Sequence, residues 1–172
     1  PLHLRIALTH KSWANEQGEA VEHNERLELL GDAVLSLVVG HLLMRHHPDW
    51  NEGTLSKARS ALVSATGLSE LARELELGDA ILLGRGEERT GGRRKPSILS
   101  DAVEAVTAAV YLDGGFECTY EVIERLLRDR IEHANQGLRR RDPKTHLQER
   151  IQAVTKRPPS YVLRETTGPE HD

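Results

Sequence analysis

A single cysteine, Cys118, stands in 172 residues, so no internal disulfide can form and the chain suits a reducing compartment. Phe116 and Glu117 beside it offer no basic setting to activate a thiol, which leaves Cys118 as a small apolar filler. Long hydrophobic runs are lacking too: the longest uncharged one, residues 33–44, contains a Gly and a His and is too short to cross a bilayer. No signal-peptide pattern opens the chain, which begins at Pro1 inside an apolar stretch, so the natural protein is expected to start further upstream and to be soluble and cytoplasmic, without a membrane span. Lysine is scarce, with 5 Lys against 18 Arg among the 23 basic residues. The Arg fork pairs well with phosphate oxygens, although genomic base composition accounts for the bias equally well. The formal charge of −4 is unevenly spread: residues 1–134 carry 15 basic and 22 acidic side chains, net −7, and residues 135–172 carry 8 and 5, net +3. A basic tail follows an acidic body.

Several metal and phosphate motifs are also missing. No His lies three residues after any Glu, which excludes the Glu-x-x-His pairs of ferritin-like bundles, and the zincin His-Glu-x-x-His is absent. Residues 86–91 have the glycine spacing of a phosphate loop, but Gly92 and Arg93 follow where Lys and Ser or Thr are required. What is present is acid. Glu25, Glu28 and Asp32 recur at i, i+3 and i+7 and fall within a sector of about 60° on a helix. Leu27, Leu30, Val34, Leu37 and Val38 gather opposite them as the packing face. Alone, such a face reads either as solvated charge or as half of a metal site. A second pair, Asp101 and Glu104, lies at i, i+3 in a helix apolar on nearly every side, and no Lys or Arg lies between residues 96 and 112. Two buried carboxylates cost several kcal/mol each unless a positive partner compensates them. A shared cation would do so, and an oxygen-only ligand set selects Mg²⁺, with Mn²⁺ as substitute, before zinc.

Residues 4–8 read as the end of a first helix and residues 9–23 as a polar loop anchored by Trp13. Asn24 is placed to cap a long helix, closed by His46, His47 and Pro48 with the histidines matching the helix dipole. Residues 52–62 and 67–75 repeat Leu and Ala at helical spacing, with a break at 64–66. Residues 84–95 have the glycine and charge content of an exposed, mobile loop. Pro96 then opens the buried helix, which ends at Asp113, Gly114 and Gly115, and residues 116–134 form a last amphipathic helix. The body is expected to be an all-α bundle over residues 1–134. Residues 135–141 read as a linker. In residues 142–172, Asp142 and Pro143 start a helix to about Val154, Pro158 and Pro159 break it, and residues 160–166 alternate like a strand. One helix and one strand cannot close a core, so this unit is expected to be cut short.

The segment NERLELLGDAVL at residues 24–35 resembles the hallmark segment of bacterial ribonuclease III. ALTHKS at 7–12 precedes it, and Glu52-Gly53, LGRGE at 83–87 and SILSDAVEA at 97–105 follow in the family's order and approximate spacing. After the linker, DPKTHLQERIQ at 142–152, Tyr161-Val162 and GPEH at 168–171 are similar to the opening half of a double-stranded-RNA-binding domain. The resemblance implies an all-α ribonuclease III-type endonuclease domain, followed by an incomplete α/β double-stranded-RNA-binding domain. It implies a homodimer with a catalytic valley along the subunit interface. The implied reaction is Mg²⁺-dependent hydrolysis of double-stranded RNA to 5′-phosphate and 3′-hydroxyl ends with short 3′ overhangs, acting on ribosomal RNA precursors and structured messenger RNA.

By the same resemblance, Glu28, Asp32, Asp101 and Glu104 fall on the metal-binding carboxylates, with Asp32 and Glu104 as catalytic groups. Glu25 and Glu52 match supporting acidic positions. Gln148, Glu149 and Gln152 match the first RNA-contacting helix, whose polar side chains meet 2′-hydroxyls in the minor groove, and His171 matches the second contact loop. The family commonly has Phe where this chain has Leu29, a side chain that fills a cavity in the partner subunit, so Leu29 is expected to be a smaller dimer contact. A non-catalytic, purely RNA-binding member would be expected to have lost one of the four metal carboxylates, and none is replaced.

Overall fold

The computed structural model describes residues 2–17, 21–134, 148, 151–152 and 154–157. The chain divides into two units, Pro1–Ala134 and Asn135–Asp172. The described part of the first unit is helical throughout: α1 (Leu2–Ala7), α2 (Lys11–Glu16), α3 (Glu25–His46), α4 (Glu52–Leu62), α5 (Ala65–Glu74), α6 (Leu77–Ala80), α7 (Arg85–Arg89), a 3-10 turn (Gly92–Arg94) and α8 (Pro96–Glu132). Among the described residues, the only strand-like feature is one parallel bridge between Thr9 and Leu82.

α3 and α8 form the centre. From α3 come Leu35, Val38, Val39, Leu42 and Leu43, and from α8 come Leu99, Ala102, Ala105, Ala108, Ala109, Ile123, Leu127 and Ile131, all 3% exposed or less. The run of alanines lets other helices approach closely: Ala105, Ala108 and Ala109 meet Ala7 of α1 and Leu27 of α3 in one cluster. Leu68, Leu71 and Ala72 of α5 cover the rest of α8. α3 is long and apolar enough, by length and composition, to match a membrane span. Its flanking turns supply the length that the uncharged run 33–44 lacks, which corrects the expectation from that run, and its buried side chains mark it as the core helix of this domain.

Several local expectations change. Pro96 opens α8 as expected, and the two helices expected on either side of residues 113–115 meet at a kink at Gly115, whose non-helical φ of 75° and ψ of −176° are open to glycine. Asn24 sits at the N-cap position of α3, yet its side chain makes no capping hydrogen bond. The expected loop at 9–23 contains α2, capped by the His10 ring, which accepts from the Ser12 N–H. Residues 84–95 are ordered as α7 and the 3-10 turn rather than as a mobile loop, because Arg93 donates to the carbonyls of Gly78, Asp79 and Ile81 and Lys95 pairs with Glu87. α4 and α5 break where expected, with Ser64 capping α5 through the N–H of Gly67.

In the second unit, Gln148, Ile151, Gln152, Val154 and Thr155 are helical, in keeping with the expected helix from Asp142. The expected linker at 135–141 and strand at 160–166 lie outside the described residues.

Candidate metal centre

The carboxylates meet where α3 crosses α8. A Cβ on Gly31 would collide with the carbonyl of Glu104, so glycine alone lets the two backbones touch at this level. That contact brings Glu28, one turn before Gly31, up to Asp101 and Glu104. One carboxylate oxygen from each of these three lies within 4.8 Å of the others. All three side chains are partly buried.

Crowding and burial raise the affinity of this cluster for protons. Burial, followed by Asp32, Asp101 and Glu28, raises the Glu104 carboxyl from 4.5 to about 7. Glu28 is raised by burial and then by Asp101 and Glu25. Asp101 is raised by burial, opposed by a hydrogen bond from the Ser100 hydroxyl at 3.2 Å and by the nearby His10. Without a compensating cation, Glu104 keeps its proton up to about pH 7. Three converging hard oxygens, without His or Cys, fit Mg²⁺ or Mn²⁺.

Asp32 is exposed and stands outside the close group of three, although it is the strongest charged neighbour of Glu104. Glu25 is exposed, and its carboxylate is held by Lys11 Nζ at 2.9 Å, which lowers its pKa from the ordinary value. Glu52 opens α4, accepts from the Ser56 hydroxyl at 2.9 Å and does not line the cavity beside the cluster. Leu29 is 77% exposed. Gln148 and Gln152 are helical, whereas Glu149 and His171 lie outside the described residues.

The partition of α3 into an acidic and a packing face needs correcting. At about 100° per residue, Glu28 lies within about 20° of Leu35 and Val39, so the acids share the side that faces α8 further along. Leu37, expected in the core, is 61% exposed. With Leu29, Ala33 and Met44 it forms an exposed apolar stripe within about 80° on the other side. The signal was legible: apolar residues on two sides of one helix imply two covered faces.

A polar cavity of about 390 Å³ adjoins the carboxylates, with Glu28 and Asp101 in its wall. Its other walls explain the ALTHKS and LGRGE blocks. Leu82 donates to the Leu8 carbonyl and accepts from the His10 N–H, the Asn24 N–H donates to Thr9, and the Gly84 N–H donates to the Ser12 hydroxyl. These bonds bring residues 8–12, 24 and 82–87 together around the cavity. Sequence spacing identified the acids but missed His10, Lys11, Asn24, Lys95 and Ser97 as its lining.

The fold and the site together define an all-α domain with a candidate centre for a hard divalent cation. A family model described as Ribonuclease-III-like matches residues 3–131. Over 169 residues, 98% of this chain and 74% of the relative, the sequence is 47% identical to Ribonuclease 3 of Oleidesulfovibrio alaskensis. It is 49% identical to Ribonuclease 3 of Syntrophobacter fumaroxidans, covering 98% of this chain and 72% of that protein. The nuclease domain of ribonuclease III from Campylobacter jejuni superposes with a TM-score of 0.69 at 46% identity, over 75% of this chain and 87% of that one, and has structural flexibility in a region involved in dimer formation. A 2.2 Å crystal structure of the same nuclease domain gives a TM-score of 0.68 at 47% identity, over 74% of this chain and 84% of that one. The chain belongs to the ribonuclease III family.

Proposed function

We propose that the protein is a Mg²⁺-dependent endonuclease that hydrolyses double-stranded RNA to 5′-phosphate and 3′-hydroxyl ends with short 3′ overhangs. It acts in the cytoplasm on ribosomal RNA precursors and structured messenger RNA. The observation that carries this reading is the convergence of Glu28, Asp101 and Glu104 oxygens at a helix crossing, in a chain of the ribonuclease III family. A divalent cation bound there would supply a water of lowered pKa and neutralise charge at the phosphate. Glu28, Asp101 and Glu104, together with Asp32, would hold that cation, with Asp32 and Glu104 as the catalytic groups. Lys11 orients Glu25 at the rim, and Glu52 has a supporting role in substrate contact.

The stripe of Leu29, Ala33, Leu37 and Met44 is the face through which two copies form a homodimer. Residues 1–134 are the endonuclease domain and residues 135–141 the linker. Residues 142–172 open a double-stranded-RNA-binding domain in which Gln148, Glu149, Gln152 and His171 contact RNA. The test is a gel assay of a long RNA duplex with wild type and Glu104→Gln in Mg²⁺, Ca²⁺ and EDTA. Wild type is expected to cleave in Mg²⁺ alone, and Glu104→Gln to bind the duplex without cutting it. Near-normal turnover by the variant would overturn the assignment.

A further inference from the structure

The cavity beside the carboxylates contains donors that the cation centre does not use. The N-cap residue of α8, Lys95, provides no side-chain cap. Pro96 at the first helical position has no N–H to lose, so the first free backbone donors are those of Ser97 and Ile98. Both residues line the cavity, where free N–H groups and the positive end of the helix that Pro96 opens favour an anion.

Asn24 is a second, independent sign. It is 2% exposed, and its carboxamide does not cap α3 and makes no hydrogen bond among the described residues. The Asn24 side chain lies in the wall of this cavity, so a ligand there would satisfy it. Two ammonium groups complete the set: Lys11, anchored to Glu25, and Lys95, anchored to Glu87 and, at 2.9 Å, to the Thr90 hydroxyl. Ion pairing holds both in place and leaves further N–H donors on each.

We propose that this cavity is an anion subsite that receives a backbone phosphate of the polynucleotide next to the one that is cut, held by the Ser97 and Ile98 N–H groups, Asn24, Lys11 and Lys95. The proposal rests on the nuclease reading above. Charge makes it conditional. Glu25 and Glu87 are neutralised by their lysines, but Glu28 and Asp101 also face the cavity, and ionised they repel a phosphate. The subsite therefore opens to anions when a divalent cation occupies the carboxylate cluster, and phosphate and cation bind with positive coupling.

Inorganic phosphate titrated into the full chain in Mg²⁺, followed by ³¹P NMR, tests this. Saturable binding is expected, about tenfold weaker in each of Asn24→Asp and Lys95→Gln, and weaker still for wild type in EDTA. Circular dichroism should stay near wild type in both, since the Asn24 side chain makes no capping bond to lose, and Mg²⁺ affinity should stay near wild type in Lys95→Gln, since Lys95 is not in the carboxylate cluster. Absence of saturable binding, or wild-type affinity in both variants, would overturn the subsite. Duplex cleavage separates the two readings: cleavage without phosphate binding sinks the subsite alone, and phosphate binding without cleavage sinks the nuclease reading.

Discussion

Glu104 sets how the metal-free protein responds to pH. Its carboxyl holds a proton up to about pH 7 in the folded state against an ordinary 4.5, so between these values the folded chain binds more protons than the unfolded one. Stability contributed by that proton is fully present below the ordinary value and is lost as pH rises through the folded one. Glu28 and Asp101 shift in the same direction. Thermal denaturation in EDTA should accordingly show Tm falling from about pH 4.5 to about pH 7, with Mg²⁺ reversing the fall at neutral pH. Glu104→Gln should be more stable than wild type at neutral pH in EDTA and gain less from Mg²⁺; a wild-type Tm that rises with pH in EDTA would contradict the crowded cluster. Gly31 acts through geometry rather than charge. Gly31→Ala forces the backbones of α3 and α8 apart at Glu104, and should cost about 1–3 kcal/mol by denaturant titration together with most of the Mg²⁺-dependent stabilisation.

At the scale of elements, α3 has two apolar sides, and only one is covered among the described residues. Leu29, Leu37 and Met44 are 77%, 61% and 63% exposed. Burying one Leu yields about 1.5–3 kcal/mol, and a two-fold interface counts each residue twice. Leu37→Asp should thus shift sedimentation from dimer towards monomer at micromolar protein, weakening association about a hundredfold or more; an unchanged sedimentation profile would remove the stripe from the interface. This helix also marks how far the sequence could be read. The spacing of Glu28, Asp101 and Glu104 disclosed the centre, because carboxylates at i, i+3 on an apolar helix need compensation wherever they lie. The facing of α3 did not follow, since a helix apolar on two sides has no single direction of amphipathicity and only the partner helix decides which side is core. Residues 84–95 were misread for a related reason: their order comes from Arg93 reaching three carbonyls, contacts that composition cannot signal. Asn24 was misread because an N-cap residue type does not reveal whether its side chain caps.

At the scale of the molecule, charge opposes the proposed substrate. The first 134 residues carry net −7 and the last 38 carry net +3, while duplex RNA is a dense polyanion. Affinity then draws on cations added to the carboxylate cluster, on the anion subsite beside it and on the eight basic side chains of the second unit. Each phosphate contact made by a basic residue adds roughly 0.7–0.9 to the slope of log affinity against log salt. Removing residues 135–172 should therefore weaken duplex binding and flatten its salt dependence, measured by fluorescence anisotropy in Ca²⁺ at several salt concentrations. The Mg²⁺-dependent gain in Tm should survive, because Glu28, Asp101 and Glu104 all belong to the unit Pro1–Ala134. If truncation leaves the salt slope unchanged, the basic tail makes no phosphate contacts, and the acidic unit with its bound cation must supply the whole electrostatic attraction for RNA.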